Sequence, residues 1–413
     1  MKKHNEIAVI GAGASGLMAA IFAADEAQKL NKSVKVTLYE ANPRVGKKIL
    51  VTGNGRCNFT NENVSCENFH GEVLLAEKVY SEFDKASVIK FFENMGLYSK
   101  SDFAGRVYPL SFQANSVLDA LRFEIKRLGI DEVTETKITS LRKQGSGFIL
   151  NDRYYADKVI VAAGGKASPV QGSDGSGFQL LVKHGIEITE LYPALCPMTC
   201  FDFPKSLKGI RAQGKITVRS EGKLIAEDTG EIQYTDYGLS GIPSMQVSGA
   251  AAYALKHFKS DVYAYVDSCP AFTAEELTEK LSELVKTHPD FPGEMLLSGI
   301  MPKKLGLFLL SECSVNPEKK IGILHKGVIE KIVFTVKNKK YRISGLRGFG
   351  DAQVTAGGIK GSEINFGTLE LKKLHGVYVC GEIVNVHGDC GGYNLQWAWS
   401  SGAVAGMNAV REI

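Results

Sequence analysis

The chain has 413 residues, 44% hydrophobic and 23% charged, which describes a globular protein of two or three domains and excludes a disordered or fibrous one. No apolar run is long enough for a membrane span. A net charge of +4 is small for this length and, without a basic stripe carrying interleaved aromatics, gives no case for nucleic acid.

Lys2 and Lys3 precede an alanine-rich apolar stretch that imitates a secretory signal. Three glycines and Ser15 interrupt that stretch, and a cytoplasmic protein is expected. Residues 7–10 read as a buried strand. Gly11, Gly13 and Gly16 follow in GxGxxG spacing, and residues 17–30 have the composition of a helix with small residues for close packing. Residues 34–39 form a second apolar strand that ends at Glu40 and Ala41. This order is what a dinucleotide-binding βαβ unit requires. Gly11 allows the tight turn, Gly13 lets a pyrophosphate approach, and Gly16 lets the helix pack close to the sheet. The free N–H groups at Ala14 and Ser15 face the phosphates, and Glu40 is placed to accept from ribose hydroxyls.

A basic loop containing Lys48 leads into a Gly/Asn-rich loop over residues 53–61. There Gly55, Arg56 and Asn58 offer backbone N–H groups and a cation to anionic or heteroaromatic atoms. Amphipathic helices are expected over 86–95 and 115–128, and a hairpin over 148–150 and 154–161 turning at Asn151 and Asp152. The strand ending at Val161 runs into Ala163 and Gly164, small residues that let the chain pass close to a cofactor. Residues 172–177 form a second glycine-rich loop, which reads as a connection and not as a second nucleotide site.

From Leu191 the texture changes. Residues 215–219 and 223–227 alternate around Glu221 and Gly222, a hairpin pattern, and 231–235 read as another strand. A loop over 235–243 precedes a helix to about His257. Thr273 and Glu276 form a capping box. Further helix is expected near 295–310 and 321–331, and a last hairpin over 332–336 and 340–343. Residues 354–358 and 376–382 are strands ending in glycines or in Gly381 and Glu382. The loop from His387 to Asn394 then opens a helix at Leu395, and in Gly391-Gly392-Tyr393-Asn394 the glycines let backbone N–H groups approach a planar ring. An enzyme using only NAD has no need of this terminal strand–acid–glycine–helix block. FAD is longer and spans two regions, so FAD is the expected resident cofactor.

None of the eight cysteines lies in a CxxC. Cys196 and Cys200 have no second pair at metal spacing, so no metal is expected. Reduced thiols suit the cytoplasm, and the missing CxxC argues against electron transfer to a nearby disulfide.

At the glycine-rich blocks the sequence resembles the BaiN-like bacterial flavoproteins, a family that includes aminoacetone oxidase-like proteins. The resemblance covers nearly the whole chain. It rests on the N-terminal fingerprint and on residues 46–61, 235–243 and 381–402. It implies an α/β architecture: a glutathione-reductase-like, Rossmann-type FAD-binding domain at 1–191 and 345–413, an inserted β-barrel-like domain at 192–258 and 325–344, and a small helical domain at 259–324. It also implies FAD held by Gly11, Gly13, Gly16, Glu40, Lys48, Arg56, Gly381, Glu382, Asn394 and Leu395. Two departures are visible: Asp236 stands where some relatives carry histidine, and Asn385 stands where Asp is expected. No catalytic acid or base is named.

The leading functional expectation is an FAD-dependent oxidoreductase acting on a small molecule. Its favoured form delivers hydride to a C=C conjugated to a ketone in a steroid-like or other apolar substrate, with NAD(P)H binding transiently as reductant or with electrons arriving from elsewhere. The alternative is an oxidase of an aminoketone or amine that makes peroxide; a flavin-dependent RNA-modifying enzyme is less favoured. Tyr237 and Ser240 either close on substrate or pack a loop. His387 either donates a proton near the flavin or, as expected, hydrogen-bonds loop backbone. Cys57 and Cys390 are expected to fill tight turns.

Overall fold

A computed structural model describes residues 4–413, so Lys2 and Lys3 lie outside the described residues. The chain forms two units: one runs from the start to Tyr192 and resumes over Gln353–Ile413, the other is Pro193–Ala352. Each has its own apolar core.

The first unit is built on a five-stranded sheet ordered Val377–Val379, Lys158–Val161, Asn5–Ile10, Val34–Tyr39, Asp131–Val133. All four pairings are parallel. Parallel strands covered on both faces read as continuous apolar runs, and the central residues Val9, Ile160 and Tyr378 are fully buried. The first helix, Ala14–Lys29, lies against the last, Tyr393–Arg411. A Cβ on Gly402 would stand 2.4 Å from the Ser15 carbonyl oxygen, and one on Gly406 2.3 Å from that of Ala19. The two backbones therefore meet through small residues, which is what the alanines of the first helix permit.

The expected hairpin exists but is shorter. Gly147–Leu150 pairs with Tyr154–Ala156 across Asn151 and Asp152, both at positive φ. Residues 158–161 leave it for the parallel sheet. Asp157 explains the switch: its carboxylate accepts from the Glu6 N–H and its own N–H donates to the Glu6 carbonyl, which fastens the chain to the first strand.

The second unit holds a closed antiparallel barrel ordered Met198–Cys200, Gly238–Gly241, Lys223–Tyr234, Arg211–Ser220, Val262–Asp267, Lys339–Leu346. The turn at Glu221 and Gly222 is where the alternation placed it. The separately expected strand at 231–235 is the end of the single long strand Lys223–Tyr234. Three expectations are corrected. Gly238–Gly241, inside the span expected as a loop, is a barrel strand, paired with Met198 and Thr199 on one side and with Ile232–Tyr234 on the other. Residues 332–336 are helix, part of Lys326–Lys337, because Ile329, Ile332, Val333 and Val336 recur at helical spacing and all four are buried. Val262–Asp267, inside the span read as helical, is a barrel strand whose Val262, Ala264 and Val266 point inward. The capping box is formed: Thr273 Oγ1 accepts from the Glu276 N–H at 3.1 Å, and Glu276 Oε2 accepts from the Thr273 N–H at 2.8 Å. Among the described residues no helix is long and apolar enough to cross a membrane.

Candidate functional site

Two helix starts of the first unit carry the glycine-rich blocks. The first helix begins after Gly13, and its first intrahelical bond runs from the Leu17 N–H to the Gly13 carbonyl. The N–H groups of Ala14, Ser15 and Gly16 therefore have no partner within the helix, and no side chain caps them. A Cβ at Gly16 would fall 1.8 Å from the Gly11 oxygen, and one at Gly11 2.6 Å from the Ala162 oxygen. These two glycines are required by the turn itself and by its contact with Ala162 and Ala163. At Gly13 a Cβ would meet nothing within 4 Å. The space beside the free N–H groups is open, which fits a pyrophosphate.

Glu40 closes this turn from the end of the second strand. Its buried carboxylate accepts from the Ala12 N–H at 2.9 Å, from the Asn42 N–H at 2.8 Å and from Asn42 Nδ2 at 2.7 Å. A carboxylate has about four acceptor positions, so one remains for a ribose hydroxyl. Glu40 thus holds the fingerprint backbone, a role its sequence position did not disclose. Ala41 is exposed beside it.

The second helix start follows Gly391 and Gly392, both at positive φ, and is likewise uncapped. Its first bond runs from Gln396 to Gly392, which leaves the N–H groups of Tyr393, Asn394 and Leu395 free within the helix. A Cβ on Gly392 would stand 2.4 Å from the Thr60 oxygen and 3.2 Å from that of Asn58. Asn61 Nδ2 donates to the Gly391 oxygen at 2.9 Å. The Gly/Asn-rich loop and the terminal helix, over 300 residues apart, are thus one construction. Within that loop Gly55 has positive φ, and Arg56 stacks over Tyr108 at 5.4 Å while its Nε donates to the Gly53 carbonyl. Asn394 spends its amide locally: Oδ1 accepts from the Gly388 N–H, and Nδ2 donates to the carbonyls of Gly388 and Asp389. Tyr393 is buried, and burial raises its phenol above the usual value.

Lys48 and Glu382 bridge the blocks, with Nζ 2.7 Å from Oε2. Glu382 Oε1 also accepts from the Thr355 N–H at 2.8 Å. Gly381 is fixed by its N–H to Ser401 Oγ at 2.9 Å and by its carbonyl to Trp397 Nε1 at 3.0 Å. A Cβ on it would lie 2.3 Å from Ser15 Oγ. Gly164, at positive φ, packs against Ser173. Sequence reasoning missed the polar residues of the terminal helix. Gln396 Oε1 accepts from Thr60 Oγ1 at 2.5 Å, and Trp399 Nε1 donates to the Phe59 carbonyl at 2.9 Å. The available signal was polar and indole residues within an otherwise small and apolar helix.

The other single residues fall as follows. Cys57 is fully buried and burial pushes its thiol up to about 12, which makes it inert. Cys390 is partly buried. Asn385 is structural: its carbonyl accepts from the Glu72 N–H at 2.7 Å. In the second unit Asp236 is exposed and paired to Lys208 at 2.6 Å, Tyr237 lies under Arg347, and Ser240 is buried in a barrel strand. Among the described residues no cluster of His, Cys, Asp or Glu is arranged to hold a metal ion.

Residues 5–408 match the family described as HI0933-like protein Rossmann domain. The chain belongs to the HI0933-like family. Among curated members of similar sequence, 3-dehydro-bile acid delta(4,6)-reductase of Clostridium scindens is 37% identical over 98% of this chain and 99% of its own. Ribosomal RNA dihydrouridine synthase of Haemophilus influenzae is 26% identical over the full length of both. Among solved structures, 3-ketosteroid delta1-dehydrogenase from Sterolibacterium denitrificans superposes with a TM-score of 0.51 over 99% of this chain and 100% of its own, at 12% identity, a likeness of fold alone. The HI0933-like chain therefore has the Rossmann-type FAD-binding fold with an inserted barrel, and it is an FAD-dependent oxidoreductase.

Proposed function

We propose that the protein reduces a C=C conjugated to a ketone in an apolar, steroid-like small molecule. The observation that carries this reading is the 37% identity to a bile-acid reductase over nearly all of both chains. FAD would be held by the two uncapped helix starts, with pyrophosphate at Ala14 to Gly16 and ribose at Glu40. The Lys48–Glu382 pair would lie along the chain between them, and the isoalloxazine at Gly392 to Leu395. Gly55, Arg56 and Asn58 would border the ring, and Ala163 with Gly164 would pass close to the nucleotide. When bound, FAD supplies hydride transfer; the chain's own residues supply its orientation and the polar groups around the substrate. NAD(P)H would act as transient reductant, since the chain has one complete dinucleotide fingerprint. Eight free cysteines suit a reducing, cytoplasmic compartment. The barrel and the helices of the second unit would form two further domains.

A second reading, saturation of uridine in ribosomal RNA, is favoured by the full-length relative from Haemophilus influenzae. The two share chemistry, because uridine's C5=C6 bond is also conjugated to a carbonyl. The deciding experiment is anaerobic incubation of the purified holoprotein with NADH or NADPH and either a 3-oxo-4-ene bile acid or ribosomal RNA. Mass spectrometry then looks for the gain of two hydrogens. A saturated steroid supports the first reading; dihydrouridine with no steroid product replaces it.

A further inference from the structure

His387 lies in the short strand Val386–Gly388, which pairs antiparallel with Phe69–Gly71 so that His387 stands opposite His70. The ring centroids are 5.2 Å apart. The expected hydrogen bond from His387 to loop backbone is not formed: its Nδ1 is buried without a partner. The nearby carboxylate is taken, because Asp389 Oδ1 is 2.8 Å from His70 Nε2 and its Oδ2 accepts from Asn68 Nδ2 at 3.1 Å. Burial, with His70 as a second cause and Asp389 opposing, lowers His387 to about 4. The ring is neutral near pH 7 and carries one proton.

The position of that proton follows from the surroundings. A buried N–H without an acceptor is rarer than an unpartnered acceptor. The tautomer with Nδ1 bare and Nε2 protonated is therefore favoured. His387 is part-buried, and Nε2, unlike Nδ1, is not among the fully buried unpartnered atoms, so it is the nitrogen that retains some exposure. The backbone beside the ring is anchored. Both backbone groups of the next residue, Gly388, are clamped by Asn394 in the first turn of the terminal helix.

We propose that the Nε2–H of His387 donates a hydrogen bond to the substrate carbonyl that is conjugated with the reducible C=C. The assignment rests on the reductase reading above. Hydride addition at the β carbon moves the π pair onto the carbonyl oxygen, and a solvent proton then completes the α carbon. A fixed neutral donor at that oxygen stabilises the developing charge without having to give up its proton.

The test compares His387→Leu with His387→Gln, whose amide nitrogen reaches the Nε2 position. Flavin content and Tm report folding. Turnover of a 3-oxo-4-ene bile acid gives kcat and KM, and the flavin absorbance shift on adding the saturated 3-oxo acid gives a Kd. The Leu variant is expected to lose about 100-fold or more in kcat and to bind the ketone more weakly, with flavin content unchanged. The Gln variant is expected to retain most of both. Wild-type kcat is expected to show no titration from His387 between pH 5.5 and 8, with His70 and Asp389 the titratable neighbours. A Leu variant that reduces and binds like wild type overturns the assignment. If wild type binds the saturated ketone but does not reduce the enone, the reductase reading fails, and the binding arm still decides His387. Failure of wild type to bind any 3-oxo steroid also overturns the proposal.

Discussion

The turns at Gly11–Gly16 and at Gly388–Asn394 look alike in composition and are held in different ways. Each opens a long helix without a side-chain cap and leaves N–H groups free. The first is closed by contacts within about one βαβ unit: Gly16 on Gly11, and Glu40 on Ala12. The second is closed partly by its own Asn394 and partly from far away, by Asn61 on Gly391 and by Thr60 against Gly392. A third glycine-rich turn, at Gly172–Gly177, gives the contrast. There Asp174 accepts from the Ser176 N–H at 2.9 Å, so the helix start is already occupied by a carboxylate. A cofactor-binding start needs bare N–H groups, and a connecting one does not.

The largest effect is expected from removing the second turn altogether. A fragment ending at Leu191 lacks the edge strand Val377–Val379 and the terminal helix, which covers Ser15 and Ala19 of the first. It is expected to purify without flavin and to expose apolar surface, read by absorbance near 450 nm and by dye binding. A yellow, folded fragment would show that the first turn suffices.

Within the first turn, Gly16→Ala and Gly13→Ala should separate sharply. The former places a Cβ 1.8 Å from backbone oxygen; the latter enters open space. Gly16→Ala is expected to abolish flavin retention and to reduce folded yield. Gly13→Ala should keep its circular dichroism and lose only flavin affinity. Unchanged flavin affinity in Gly13→Ala would mean that Gly13 does not border the nucleotide.

These cases also show what was legible in the sequence. The fingerprint is readable because two of its closing contacts, Gly16 on Gly11 and Glu40 on Ala12, lie within some thirty residues; its contact with Ala162 is not legible in this way. The capping box at Thr273 and the turn at Glu221 were readable for the same reason. The polar bolts of the terminal helix were not, because Trp399 meets Phe59 and Gln396 meets Thr60 across more than 300 positions. The helix Lys326–Lys337 reads partly as strand because residues 332–336 form a short, mostly apolar run, which periodicity alone cannot assign. His387 was named, but its missing partner is a property of the assembled strand pair with His70.

A smaller effect is expected from Glu40→Ala beside Asn394→Ala. Glu40→Ala leaves the buried Ala12 N–H unpaired, which costs about 1–3 kcal/mol, so stability should fall together with flavin affinity. Asn394→Ala frees the carbonyl and N–H of Gly388 but adds no clash. It should lower flavin affinity with less loss of stability, and fluorescence titration with thermal unfolding measures both. A stability loss as large as that of Glu40→Ala would indicate that the second turn is as self-contained as the first.

The smallest effect concerns the third turn and is set by pH. Asp174 is desolvated, which alone would raise its pKa, yet the bond to Lys137 at 2.5 Å and those to Ser176 outweigh this and lower it to about 2. A carboxyl with a depressed folded value stabilises the native state when ionised. Its contribution is complete above the usual value near 4 and is lost as pH falls toward 2. The side chains of Lys137 and Asp174 are 45% and 41% exposed, so solvent screening limits the contribution to about 1 kcal/mol or less. Asp174→Asn should therefore narrow its stability deficit as pH is lowered from 5 to 3, read by denaturant midpoints, without altering flavin content at pH 7. A change in flavin content would mean that the third turn, too, touches the nucleotide, and that helix starts with and without a carboxylate acceptor do not divide the labour as their hydrogen bonds indicate.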